Sequence, residues 1–292
     1  MMLVLSSQEM LHIWEIGLGH HPIDQALIIL AAAFPETSRD TLAELSIGQR
    51  DSYLLAVRAH TFGSRLVVLA TCPQCRDQVE CVLDIAAMGL VAGIGAEAPT
   101  PEADKSAVGA INRPLRFAGD AGPPIRFAGD AGSPIRFTGE DAELNKVQQV
   151  RVDGYEVYIR LPNSLDLAAI ANDNDVGSAR KRLVQCCIAQ SYHDGLPLSA
   201  ESLPETVIEV VTAQMVERDP LAEIQLDLTC PACDHHWNAM FDIATFLWRE
   251  ISTEAKRLLR EVHILAQAYG WREADILSMS AARRQLYMEM VT

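Results

Sequence analysis

Apolar positions in the first 70 residues recur mainly at helical spacing. "PIDQALIILAAAF", from Pro22, is apolar enough to lie inside a core. "SIGQRDSYLLAVRAHTFG" opens with Ser46 and Gln49 in capping-box spacing. It carries Ile47, Leu54, Leu55, Val57 and Phe62, and Gly63 is placed to stop the helix. "RLVVLA" then predicts a strand leading into "TCPQC". Further on, "QVRVDGYEVYIRLP" predicts a β-hairpin turning at Asp153-Gly154, with Val150 and Val152 before the turn and Tyr155, Val157 and Ile159 alternating after it. "SLDLAAIAND", "SARKRLVQCCIAQS" and "PETVIEVVTAQMVE" predict helices, and "AEIQLDLTC" alternates like a strand. In the last fifth of the chain Ile243, Leu247, Ile251, Leu258, Val262, Leu265 and Tyr269 form one apolar helical stripe. Gly270 should break that helix. Two short helices follow, "READILSM" and "SAARRQLYMEMV", the second capped by Ser280.

Between about Gly89 and Gly139 the pattern dissolves. Nine of the 17 glycines and six of the 14 prolines fall there. The segment holds a ten-residue repeat, "PLRFAGDAGP", "PIRFAGDAGS", "PIRFTGEDAE", with Pro114, Pro124 and Pro134 in register with Phe117, Phe127 and Phe137. A small turn array or docking arm is one reading; the composition favours a linker lengthened by local duplication. The organisation expected is therefore a helical segment with a first cysteine turn (1–88), a Gly/Pro-rich linker (89–140), a hairpin, helices and a second cysteine turn (141–240), and C-terminal helices (241–292). The fold class expected is α+β, helical terminal regions around a small β region.

The chain has 292 residues and a net charge of −15 with no evident basic patch, so nucleic acid is an unsuitable partner. Its longest apolar run, Ala26 to Phe34, is far short of the ~20 residues that span a bilayer. "MMLVLSSQEM" lacks the features of an export signal, so a reducing cytoplasm is expected, where seven cysteines are better read as thiols or metal ligands than as disulfides.

Chemistry concentrates in a motif that occurs twice. "TCPQCRDQVECVLDIAAM" begins at Thr71 and "TCPACDHHWNAMFDIATF" at Thr229, with 154 residues between Cys75 and Cys230. A Cys-x-x-Cys turn between strands aims two thiolates at one point, which is half of a tetrahedral site. Two copies with matching flanks point to one structural zinc held by Cys72, Cys75, Cys230 and Cys233, a zinc-ribbon-like arrangement. A redox pair, unliganded thiols and mixed ligation are the alternatives, with Cys81, His235 and His236 as substitute ligands. A redox cysteine would sit at a helix N-terminus, whereas "VECVLDI" and "WNAMFDI" favour strands. Closing so long a loop costs roughly 4–5 kcal/mol, against about 10–16 kcal/mol from structural zinc in small peptides. Cys186 and Cys187, amid apolar neighbours, read as buried thiols.

No catalytic set has useful spacing. Phosphate-loop, serine-hydrolase and zinc-protease motifs are missing. "GLGHHP" reads as a turn before the Pro22 helix, and "DNDVGSAR" as a solvated helix start without the calcium loop's closing Glu. The expectation is a protein that is not an enzyme.

The order of these features resembles the T4-type phage baseplate (hub assembly) protein family of contractile tails and extracellular contractile injection systems. The stretches that carry the resemblance are "GLGHHPIDQALIILAAAFPE", "IGQRDSYLLAVRAHTFGSRL", "TCPQC", "GYEVYIRLPNSLDLAA", "DPLAEIQLDLTCPACDHHW" and the segment from Asp242 containing "YGW", "EADIL" and "ARR". They cover most of the chain outside the Gly/Pro-rich insert, and the repeat departs from the family. The resemblance implies a non-enzymatic baseplate component or assembly chaperone, made in the cytoplasm, with baseplate or hub proteins as partners and no membrane insertion. The last helical turns, with Trp271, Ile276, Leu277, Arg283, Arg284 and Tyr287, are the candidate partner surface. The competing readings are a zinc-ribbon adaptor in a regulatory or transcription complex and a CPxC thiol redox protein.

Overall fold

Ser6 begins the first helix by a reciprocal cap. Its hydroxyl accepts from the Glu9 amide at 3.3 Å while the Glu9 carboxylate accepts from the Ser6 amide at 2.7 Å. The computed structural model describes residues 2–86, 147–173 and 175–291, together with the backbone of Arg116–Phe117 and Ile125–Arg126. The fold mixes helix and sheet, as expected, and falls into two units: Met1–Leu42 with Ile243–Thr292, and Ala43–Asp242. Grouping by contact thus differs from grouping by composition, since the N-terminal helices belong with the C-terminal ones. Apart from its two strand pairs, the 89–140 segment lies outside the described residues.

The first unit is helical. α1 (Ser7–Gly17) and α2 (Pro22–Ala33) are joined by the His20-His21 turn, where His21 Nδ1 accepts from the Ile23 amide and Pro22 takes the first helical position. α2 is apolar on nearly every face, and Gln25 to Leu30 are all buried. α3 (Arg39–Glu44) straddles the boundary of the two units in sequence. The long helix α8 (Ile243–Tyr269) buries Ile243, Leu247, Ile251, Leu258 and Leu265 of the predicted stripe, leaving Val262 half-buried and Tyr269 exposed. It packs on α1, α2, α9 (Glu273–Leu277) and α10 (Ala281–Val291). Gly17 lets α1 approach closely, because a methyl group there would overlap the Trp248 ring. Gly270, at φ 67, ends α8 as the sequence predicted, its amide bonding to the Ala266 carbonyl at 2.8 Å.

In the second unit α4 (Ile47–Phe62) starts on the Ser46/Gln49 capping box and stops at Gly63, φ 91, both as predicted. β1 (Arg65–Thr71) and β2 (Gln78–Asp84) form one antiparallel hairpin; β9 (Ile224–Thr229) and β10 (His236–Phe241) form another. The two short strands β3 (Arg116–Phe117) and β4 (Ile125–Arg126) pair with β2 and β9 respectively. A separate antiparallel sheet runs β5 (Gln148–Val152), β6 (Tyr155–Ile159), β7 (Ile188–His193), β8 (Leu196–Pro197). Its first turn has Asp153 at φ 48 and Gly154 at φ 80, the predicted hairpin. Helices α5 (Ser164–Ile170) and α6 (Val176–Cys187) are inserted between β6 and β7, and α7 (Glu205–Arg218) packs on β5 and β6. Val150, Val157, Ile159, Val184, Cys187, Val207 and Val211 are the centre of this core.

Two expectations need correction. The helix read through "CCIAQS" ends at Cys187, and Ile188 begins β7, because a second Asp-Gly turn (Asp194, φ 49; Gly195, φ 79) makes this stretch half of a hairpin. Of the adjacent thiols only Cys187 is buried, pushed up to about 12 chiefly by that burial; Cys186 is exposed. Among the described residues no helix is long and apolar enough to cross a membrane.

Candidate metal centre

Each Cys-Pro-x-Cys segment is the tip of a hairpin, and the two tips are built alike. At the first, the Cys72 amide donates to the Asp77 carbonyl and the Arg76 amide to the Cys72 carbonyl, both at 2.9 Å. At the second, the Cys230 amide donates to the His235 carbonyl and the Asp234 amide to the Cys230 carbonyl, again at 2.9 Å. Closing so tight a turn puts the residue after the second cysteine in the left-handed region: Arg76 at φ 63, Asp234 at φ 54. The strand registers finish the job. Thr71 faces Gln78 and Thr229 faces His236, so each pair of cysteines projects beyond the last strand pair.

The four sulfurs converge. Cys72, Cys75, Cys230 and Cys233 place their Sγ atoms within 4.8 Å of one another. The contacts across the tips are 3.7 Å from Cys72 to Cys233 and 3.5 Å from Cys75 to Cys230. Cys72 and Cys230 are buried with Val79, and Cys233 and Trp237 pack against them, so one side of the cluster is apolar.

Burial opposes ionisation of Cys72, yet the backbone N–H groups of Cys75 and Gln74 and the neighbouring thiols bring it down to about 7. The Asp77 amide favours a Cys75 thiolate, but burial and the three other sulfurs push that thiol up to about 12. Cys233 is also raised: the His235 amide favours its thiolate, while burial and contact with Cys230 and Cys72 oppose it. A thiolate at Cys72 is therefore favoured and thiolates at Cys75 and Cys233 are not, unless a cation shares the site. Four soft donors, one apolar side and backbone N–H groups directed at the sulfurs together fit a metal ion.

The substitute ligands stand apart. Cys81 is buried in β2, its thiol raised by that burial, outside the four-sulfur group. His236 Nδ1 is 2.8 Å from the Thr229 hydroxyl, and the His235 ring stacks on Trp237 with centroids 6.1 Å apart. Neither CPxC lies at a helix N-terminus.

In the helical unit the candidate partner surface divides. Ile276 and Leu277 are buried, so they serve packing and leave that surface. Arg284, 1% exposed, is corrected likewise. It donates to Glu261 at 2.9 Å, the Met279 carbonyl at 2.6 Å and the Ser7 hydroxyl at 3.2 Å. What stays accessible is an aromatic cluster: Trp271 stacks on Tyr269 at 4.4 Å, Tyr287 meets Trp271 edge-on at 4.8 Å, and the Arg283 guanidinium lies 5.7 Å from the Tyr287 ring centre.

Sequence reasoning also missed a buried polar group around α4. Asp219, which follows α7, accepts the Gly48 amide at 2.9 Å, and Arg50 pairs with Asp51 at 2.8 Å. Burial raises Asp51 to about 6 against the pull of Arg50, with Asp242 and Asp219 adding to the rise. Arg58 donates to the carbonyls of Gly63 and Arg65, at 2.5 and 2.6 Å, binding the end of α4 to the start of β1. Gly48 beside a capping residue was the available signal. No family model, curated protein or solved structure matches the chain.

Proposed function

We propose that the chain is a non-enzymatic scaffold protein whose second unit is stapled by one structural zinc, and that it acts as a baseplate component or assembly chaperone of a contractile, phage-tail-like particle. The single observation that carries the zinc reading is the convergence of Cys72, Cys75, Cys230 and Cys233 from two hairpin tips 154 residues apart. Zinc–sulfur bonds of about 2.3 Å imply sulfurs about 3.8 Å apart around a tetrahedral ion, close to the 3.7 and 3.5 Å across the tips. A four-thiolate shell leaves no open position for substrate, so its work is to hold the hairpins together.

The particle reading rests on the sequence resemblance from "GLGHHP" to the "YGW…ARR" tail, with the Trp271–Arg283–Tyr287 cluster as the surface offered to baseplate or hub proteins. Its test is a pull-down of the tagged chain from its native cell, with mass spectrometry across a sedimentation gradient and metal analysis of the eluate. Sheath, tube or baseplate proteins in the eluate support the reading; heavy fractions mean a resident component and light fractions a chaperone. Zinc at one equivalent without any tail protein would move the zinc-ribbon adaptor to the front. Metal-free protein that reduces a disulfide substrate would replace both with the redox reading.

A further inference from the structure

The ten-residue repeat is the one motif that the metal staple leaves without a role. Each hairpin of the metal site has an inner strand, β2 or β9, with a second edge whose amides and carbonyls need partners. The backbone of Arg116–Phe117 runs parallel to β2, with Arg116 opposite Val79 and Phe117 opposite Glu80. The backbone of Ile125–Arg126 runs antiparallel to β9, with Ile125 opposite Leu226 and Arg126 opposite Gln225. In sequence the two dipeptides belong to successive copies of one unit, Pro114-Leu115-Arg116-Phe117 and Pro124-Ile125-Arg126-Phe127, and share its arginine.

We propose that the repeat is a strand donor: Arg116–Phe117 of the first copy adds to β2 of the β1–β2 hairpin and Ile125–Arg126 of the second adds to β9 of the β9–β10 hairpin, so that one insert covers the second edge of the inner strand in both halves of the metal site. The unit has the chemistry of a short added strand. In sequence, the Arg-Phe of each of the first two copies is followed by Ala-Gly-Asp-Ala-Gly, a run rich in turn-forming residues. A parallel strand needs a crossover of a dozen or more residues, and 31 lie between Asp84 and Arg116. Only seven lie between Phe117 and Ile125. That stretch spans at most roughly 26–29 Å, so one period reaches from edge to edge only if the hairpins are held close. Convergence of their tips on four sulfurs provides that closeness. Main-chain pairing of this kind is indifferent to most side chains, which suits duplicated copies serving two different edges. The proposal rests on the hairpins and needs neither the particle reading nor a particular metal.

The test is hydrogen exchange of the full-length chain, read amide by amide by NMR, with Phe117→Pro, Arg126→Pro and Ile135→Pro. Proline cannot donate to a ladder. Phe117→Pro should speed exchange of the β2 amides that face away from β1 by roughly tenfold, the equivalent of one lost backbone hydrogen bond. Arg126→Pro should do the same for the β9 amides that face away from β10, and each variant should leave the other edge unchanged. Ile135→Pro, in the third copy, should alter neither. The β2 amides facing β1 and the β9 amides facing β10 report in every variant that the hairpins are intact. Wild-type edge amides exchanging at the free-chain rate would overturn the proposal. So would edges indifferent to Phe117→Pro and Arg126→Pro, or an edge exposed by Ile135→Pro.

Discussion

Replacing Cys230 with Ser removes one of four sulfurs from a cluster that joins residues 154 positions apart. Holding that loop closed without the staple costs roughly 4–5 kcal/mol of chain entropy, a large share of the about 5–15 kcal/mol that stabilises an ordinary domain. The buried Cys230 also leaves a hydroxyl against Val79 and Trp237, where it meets an apolar wall. Loss of about 4 kcal/mol is therefore expected in the second unit, with metal content falling below one equivalent. Guanidinium unfolding followed at two sites separates the units: Trp237 lies beside the cluster, while Trp14 packs in the core of the helical unit. Single-tryptophan variants keeping one or the other should show the Trp237 transition moving and the Trp14 transition staying. A chelator should reproduce the shift in the wild type, and Cys72→Ser added to Cys230→Ser should cost little more, because the ligands act as a unit. Cys186→Ser, at an exposed thiol, should stay within about 0.5 kcal/mol of wild type. A Cys230→Ser protein that unfolds like the wild type and keeps its metal would refute the staple.

Three further outcomes follow from buried polar groups and a close approach. Gly48→Ala should destabilise by about 2 kcal/mol although helix propensity alone predicts a gain of about 1, because the new methyl overlaps the Asp219 carboxylate and comes within 2.9 Å of the Ala222 amide nitrogen; a stabilised variant in urea titration contradicts the geometry. Arg284→Ala should cost about 3 kcal/mol by stripping Glu261 of a buried partner, and a change under 1 in thermal or denaturant unfolding would show the network to be dispensable. Asp51, raised from 3.8 to about 6, binds its proton more tightly folded than unfolded. Its contribution is therefore full below pH 3.8 and is lost as pH rises through 6, a fall of roughly 3 kcal/mol. Asp51→Asn should flatten stability between pH 4 and 6, and an unchanged slope would place the titration elsewhere.

What was legible in the sequence had its cause within a few residues. The Ser46/Gln49 box, Gly63, Asp153-Gly154, Gly270 and Ser280 each act on neighbouring backbone, and each stands where its chemistry puts it. The cysteine cluster joins distant parts of the chain yet was readable, because the chain writes the same turn twice and four thiolates have few other uses at that spacing. Asp194-Gly195 carried the same kind of signal as Asp153-Gly154 and was overridden by the helical look of "RLVQCCIAQS". Periodicity alone cannot tell a short buried strand from a helix end there.

The polar positions of α4 and α10 were the opaque part, and the reason is physical. A periodicity argument assigns Arg50, Asp51, Arg58 and Arg284 to solvent because burying a charge is costly. For Arg284 that cost is met by partners distant in sequence, Glu261 and, across 277 positions, Ser7. For Arg50 and Arg58 it is met nearby, by Asp51 and by the Gly63 and Arg65 carbonyls, while Asp219 reaches the Gly48 amide across 171 positions. Such contacts explain why one arginine of the "ARR" tail, Arg283, stays available to a partner while its neighbour is consumed by the fold. The same distinction narrows the surface worth mutating first. Trp271, Arg283 and Tyr287 can be changed to test partner capture; Tyr269, itself exposed, stacks on Trp271 and meets Tyr287 edge-on. Changing Ile276, Leu277 or Arg284 would instead report on folding, because each is already spent on the interior of the helical unit.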